Sequence, residues 1–400
     1  MHRLRRDRVT WLIYAQLAIW AYFLYGLGPV VPLLRDEQHV SRAVASLHST
    51  ALAAGGVLAG AAYPALARRF GRPVLMWAGL AGIAAAVAAF CLVRPVVVTI
   101  AAVLVASWFA SLLLTGVVLS LDQLHAPVGH AAFAEANALA CAAGAVAPLL
   151  VGLTVHSGLT WRPAIALVPV LALMAWFARA PLPPAAGTGP AVTAPGTAAG
   201  GPVGRLPGRF WLAWVLLCMT GSVEMCVNLW SGDLLRTHAH LSPDAAASAI
   251  SGIVGGMALG RLIGGRVALR VAAPQLLLAV LAVSAAGVAV LWSSTVPWLA
   301  LAGLVITGLG NGMHYPLGMA LALQSSGGRP DQAAARTLYS TAVAFGISPL
   351  ALGAIADQVG TRLAFLLVPV FLLAAAGLAA RLRLVVPAPA AATWGSATAQ

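Results

Sequence analysis

The chain reads as long apolar runs broken by short polar ones. Residues 9–34 contain no Asp, Glu, Lys or Arg, and comparable runs follow at about 44–67, 73–93, 96–121, 131–156 and 161–179. Six more lie at about 209–232, 244–268, 274–293, 297–323, 332–357 and 361–382. Each is close to the roughly 20 residues that a helix needs to cross a bilayer, so the pattern predicts twelve spanning helices. Residues 1–8 are basic, but the apolar run behind them is too long for the core of a signal peptide. Between the sixth and seventh runs, 180–208 is dominated by Pro, Gly and Ala and predicts a linker. The tail 387–400 predicts disorder. The expected organisation is a first bundle at 1–179, the linker, a second bundle at 209–386 and the tail.

Composition agrees: of 400 residues 61% are hydrophobic and 8% charged, which no soluble domain of this size shows. The net charge of +13 is topological, because the arginines cluster between runs, and nucleic acid is not an expected partner. With the N-terminus inside, 16 of 23 arginines fall on the cytoplasmic side, six on the other, and Arg261 lies within a span. This bias puts both termini in the cytoplasm, for a multi-pass protein of the cell (inner or plasma) membrane. The four cysteines lie inside apolar runs with no metal-ligand spacing; no metal or cofactor is expected.

The halves repeat. Gly55-Gly56-x-x-x-Gly60 returns as Gly255-Gly256-x-x-x-Gly260, and Arg162 with Val168-Pro169-Val170 as Arg362 with Val368-Pro369-Val370, both 200 positions on. Ala147-Pro148-Leu149 returns as Ser348-Pro349-Leu350, shifted by 201. Several matches in register indicate a duplicated six-helix unit, as in transporters that rock two halves about a central site.

The run 210–230 holds one carboxylate, Glu224, about 15 residues in and hence near mid-membrane. A charged group there costs roughly 2.5–3.5 kcal/mol on the lenient insertion scale. Thr220, Glu224 and Asn228 share one face, with Ser231 three residues later. A titratable group in a buried polar stripe points to proton-coupled transport; a neutral carboxyl that serves only packing is the alternative.

Twelve spans as six plus six, a central linker and a Gly/Arg-rich loop after the second span resemble the major facilitator superfamily. The loop motif Gly-x-x-x-Asp-x-x-Gly-Arg-basic stands as Pro64-x-x-x-Arg68-Arg69-Phe70-Gly71-Arg72-Pro73. Gly71 and Arg72 match, while the acidic position is lost here and at Leu269 in the second copy. The segment around Pro148 is similar to the Gly-Pro motif of drug:proton antiporters. Glu224 with Trp230, and Gly310 with Tyr315-Pro316, resemble fucose-permease-like sugar carriers. The resemblance implies an all-α integral membrane fold of twelve helices in two pseudo-symmetric bundles; a monomer in the bilayer is expected, and no enzyme, because no metal cluster, nucleophile–base pair or phosphate loop stands out.

It also implies that spans 1, 4, 7 and 10 line the cavity. On that basis Gln16, Tyr22, Tyr25, Trp108, Ser111, Asn228 and Asn311 are candidates to bind the solute. Glu224 would carry the proton, with His314 next in line because histidine titrates near neutral pH. Glu135 lies about four residues inside span 5, and its counterpart one repeat later is Arg336. The resemblance sets span 5 against span 8, so Glu135 with Arg261 or Arg266 forms a candidate gate, together with Gly71 and Arg72. The leading reading is a proton-coupled secondary transporter of a small organic solute by alternating access, leaning to efflux because the cavity candidates are mostly aromatic and apolar. Sugar-type uptake by proton symport and a non-transporting membrane sensor are the alternatives.

Overall fold

The computed structural model describes residues 6–125, 129–179 and 205–385. Most of the expected linker and the whole expected tail lie outside these residues. Among them the secondary structure is helical: α1 (Arg8–Gln38), α2 (Arg42–Phe70), α3 (Arg72–Leu92), α4 (Val96–Leu124), α5 (Gly129–His156), α6 (Arg162–Phe177), α7 (Gly208–His238), α8 (Pro243–Val267), α9 (Ala273–Ser293), α10 (Pro297–Asn311), α11 (His314–Gln324), α12 (Pro330–Val359), α13 (Thr361–Ala364) and α14 (Leu367–Val385). Ten spans are by themselves long and apolar enough to cross a membrane, α13 and α14 counting as one. The shorter α6 and the broken pair α10–α11 complete twelve. The run expected at 297–323 is therefore two helices, with Gly312 and Met313 between them.

Helix ends follow local chemistry. The Asp7 carboxylate accepts from the Thr10 backbone N–H and caps α1, and the Ser41 hydroxyl does the same for α2 at Val44. Such caps satisfy amides that the first turn leaves without partners. Gly71 is the single residue joining α2 to α3, at φ 79° and ψ 156°, a conformation open in practice only to glycine. The turn gives Gly71 of the loop motif its structural reason.

The halves pack alike. α3 lies on α4 and α9 on α10, α2 on α4 and α8 on α10, α1 on α5 and α7 on α12. Small residues set these crossings. A Cβ on Gly55 would stand 2.3 Å from the Leu104 carbonyl oxygen, and one on Gly256 2.3 Å from that of Val305. The structural equivalent of Gly55 is thus Gly256, 201 residues on; the exact-looking 200-residue match to Gly255 is a coincidence of the Gly-Gly pair. The seam between halves is formed by α5 on α8 and α2 on α12. We refer to the face where α1 begins as the near face and the one where it ends as the far face.

Candidate functional site

Glu224 lies 16 residues after the start of α7 and 14 before its end, about 24 and 21 Å from the two faces at 1.5 Å per residue. It is half-buried, and among the described residues its carboxyl makes no hydrogen bond or ion pair. The charged group acting on it is Arg261 of α8. Tyr25 of α1 and Tyr315 of α11 also lie within its electrostatic reach.

Arg261 is held by a defect the sequence builds in. In an unbroken helix the Gly312 carbonyl would accept from residue 316, but residue 316 is Pro, which has no N–H. The helix parts at this point, and the orphaned carbonyl accepts from Arg261 Nε at 3.3 Å. Gly312 is required there, since a Cβ would fall 2.3 Å from the Met257 carbonyl oxygen. Arg261 Nη1 donates to the Cys141 sulfur of α5 at 2.9 Å. Tyr25 completes the group, its ring so close to Gly144 that a Cβ on that residue would lie 2.4 Å from Cδ2. One acid, one arginine, two phenols and a thiol from five helices therefore lie within one another's electrostatic reach. Of the residues expected to bind solute, only Tyr25 belongs to this group.

The others are placed elsewhere. Gln16 is buried, its Oε1 without a partner, beside a shallow groove between α1 and α3 lined by Leu12, Pro73 and Trp77. The Tyr22 hydroxyl donates to the Ala164 carbonyl of α6 at 2.9 Å. Trp108 packs on an apolar cluster with Ala59, Tyr63 and Leu112. Ser111 sits under Gly56, 3.4 Å from where a Cβ would be. Asn228 lies against Gly28 of α1, whose Cβ would come 2.3 Å from Oδ1. Asn311 Nδ2 points at the Met257 sulfur, 3.8 Å away. His314, 1% exposed, has Nε2 3.2 Å from the Ser284 hydroxyl of α9. The helix break precedes it, and its ring faces α9.

The expected pairing of Glu135 with Arg261 or Arg266 is not formed in this conformation. Glu135 receives Arg6 in a bidentate pair at 2.7 and 2.9 Å, and the Tyr14 hydroxyl at 3.3 Å. All three residues belong to the first half. Arg266 donates to the Leu262 carbonyl of its own helix, and Arg261 is engaged as described. Gly71 forms the α2–α3 turn, and Arg72 opens α3.

Ion pairs between the halves do exist, and among the described residues all stand at the far face. Asp233 of α7, 1% exposed, accepts from Arg35 of α1 at 2.8 Å, Arg42 of α2 at 2.9 Å and the Thr361 hydroxyl at 2.5 Å. Asp36 binds Arg236 at 2.8 Å, and His156 approaches Asp244 at 2.9 Å. The Asp357 carboxylate of α12 accepts the first backbone N–H groups of α2, from Arg42 and Ala43, at 2.8 and 2.9 Å. It thereby caps a helix of the other half, where an anion is favoured. A proline again supplies free carbonyls: Pro349 cannot donate to Phe345, whose carbonyl accepts the Ser49 hydroxyl at 2.5 Å instead. Thr50 donates to the Gly346 carbonyl at 2.6 Å and Ser46 to that of Pro349 at 2.9 Å.

The family model described as Major Facilitator Superfamily matches residues 9–325 and 226–398. No curated protein matches the sequence. Among solved structures, the chain is similar to a bacterial homologue of the human lysosomal transporter Spinster in an inward-facing, occupied conformation, at 13% identity and TM-score 0.74 over 97% of this chain and 100% of that one. It is similar to a mutant of the nucleoside transporter NupG, at 12% identity and TM-score 0.75 over 95% and 99%. A D-xylose–proton symporter gives 12% identity and TM-score 0.75 over 95% and 98%. At these identities the likeness is one of fold.

Proposed function

Because the chain belongs to the major facilitator superfamily, and is thus a multi-pass membrane protein that carries a solute by secondary transport, we propose that it moves a small organic solute together with a proton. The observation that carries this reading is the Glu224 carboxyl, unpaired at mid-depth and facing a charged arginine. A carboxyl so placed is retained at a cost of several kcal/mol and is suited to taking a proton from one face and releasing it to the other.

The arginine bias supports assigning the near face to the cytoplasm of a cell-membrane protein, with the protein working as a monomer. The conformation is then closed on the outside by the Asp233, Asp36 and Asp357 contacts. Alternating access requires that these break and that the near face close in their place, so that Glu224 meets the two sides in turn.

The leaning to efflux rested on an aromatic and apolar cavity. Around Glu224 the neighbouring groups include the charged Arg261, which weakens that ground and supports symport with the proton. The test is Glu224→Gln in reconstituted vesicles. The variant is expected to fold and to exchange solute for solute, yet to lose accumulation driven by a pH gradient. Accumulation equal to the parent's would make Glu224 a packing residue.

A further inference from the structure

Arg261 brings a full charge to about 9 Å inside the near end of its helix, six residues from Val267, and the protein does not answer it with an anion. Its hydrogen-bond partners are neutral: the Gly312 carbonyl, the Cys141 sulfur, which is a weak acceptor, and the Tyr25 phenol. Among the described residues no carboxylate stands within ion-pair distance of it. Glu224 acts on it electrostatically but is not bonded to it. The groups facing Glu224 from the surrounding helices are Tyr25, Arg261 and Tyr315. An acid and an arginine lie in each other's field without being joined, and among the described residues the guanidinium has no anionic partner.

We propose that the solute is a small organic monoanion whose carboxylate is gripped by Arg261, and that one proton on Glu224 accompanies it. A guanidinium offers a planar fork of donors that matches a carboxylate, and the rings of Tyr25 and Tyr315 offer surface to an apolar body of modest size. Charge decides the coupling. In the empty site the Glu224 carboxylate balances Arg261 across the gap. When the solute carboxylate takes the arginine, two anions share one cation, and Glu224 is neutralised by a proton from water. Both states of the site are neutral, no covalent bond changes hands, and the cycle moves one anion with one proton and no net charge. The coupling rests on Glu224 being the proton carrier; the anion site rests on Arg261 alone.

The experiment uses the full chain and paired probes of equal shape: lactate against lactamide, and mandelate against mandelamide. In detergent, at least one acid is expected to raise the thermal stability of the parent protein while its amide does not. Arg261→Gln should weaken that response roughly a hundredfold in concentration, the scale for losing one partner of a desolvated charge pair. Arg261→Lys keeps the charge and can still reach the Gly312 carbonyl, so it should retain the preference for acid over amide at reduced affinity. A purely structural role for Arg261 would lower the melting temperature of both variants without changing that preference. In vesicles, with protein-free vesicles as reference, uptake of the responding acid should follow an inside-alkaline pH gradient and ignore a potential set with valinomycin. Equal stabilisation by acid and amide, a response unaltered in Arg261→Gln, or no response to either acid overturns the anion site. An Arg261-dependent response with uptake indifferent to the pH gradient overturns the proton coupling and leaves the anion site standing.

Discussion

Arg42 Nε and Asp233 Oδ2 stand 2.9 Å apart across the seam between the two halves, although 191 residues separate them in the chain. The same carboxylate holds Arg35 through its other oxygen. One buried acid of the second half thus ties down two helices of the first. An isolated surface pair contributes little, but this acid is enclosed, and removing its charge leaves Arg35 with Asp36 and Arg42 with Asp357 at 3.8 Å, both outside the buried centre of the network.

Asp233→Asn is therefore expected to cost about 3 kcal/mol, the scale for breaking one side of a buried pair, and to spend that loss on the far-closed state. A reporter cysteine at Ala45→Cys, a position 1% exposed at the far end of α2, should become labelled by a reagent added from the far side. Unaltered labelling would mean that the seam is held by the hydroxyl–carbonyl contacts of α2 and α12 without the help of Asp233.

Glu135→Gln should leave that balance alone. The partners of Glu135 are Arg6 and Tyr14 of its own half, so its charge has no direct hold on the opposite half. Labelling of cysteines on either face should match the parent within error. A shift toward near-side labelling would show that Glu135 changes partners during the cycle and would restore the gate expected from sequence.

Much of this architecture was legible in the chain. Apolar run length fixed the spans, and the charge within one of them singled out Glu224. Rotation about the helix axis was legible too. At 3.6 residues per turn, Gln16 lies about 180° around α1 from Tyr25, so both could not face one cavity. The direction of His314 was not legible, because Gly312 and Pro316 break the helix that precedes it. The Asp233 network was not legible. Its members lie at span ends, where a charge also satisfies topology, and their partners are 128 to 198 residues away. Arg261 was visible as a charge within a span, but its meaning depends on a carbonyl freed in another helix.

At the near face, the α1 cap gives a prediction in pH. Hydrogen bonds from the Thr10 hydroxyl and the Thr10 backbone N–H hold the Asp7 carboxyl below its ordinary value of 3.8. A depressed folded value means that the stabilisation is fully present above pH 3.8 and is lost as pH falls through the folded value. Asp7→Ala should cost about 1 kcal/mol at neutral pH, as N-cap removal does. The difference between variant and parent should shrink below pH 4 in melting curves. A difference constant across that range would mean that the cap works through shape and not through charge.

The last prediction concerns two glycines that sit at equivalent places in the repeat. Gly152 of α5 crosses α8 where a Cβ would fall 2.6 Å from the Asp244 carbonyl oxygen, and Gly353 of α12 crosses α2 with its Cβ 2.8 Å from that of Arg42. They are 201 residues apart, the spacing that also relates Pro148 to Pro349. Both crossings lie at the far face, each beside one of the ion-pair clusters. A backbone oxygen cannot swing aside as a side chain can, so one methyl group must push the helices apart. Overpacking of this kind costs about 1–3 kcal/mol, and here the cost falls on the far-closed state alone, because the crossings loosen when that face opens. Every 1.4 kcal/mol is about tenfold in an equilibrium, so Gly152→Ala or Gly353→Ala should raise far-side labelling of Ala45→Cys by about tenfold or more. The double variant should exceed either single one, since the two crossings close the same face from opposite sides. Gly377→Ala, where a Cβ meets nothing within 4 Å, serves as the control for glycine replacement in a helix. If the two seam variants label no faster than that control, the close crossings are packing without consequence for access, and the far face is closed by its charges.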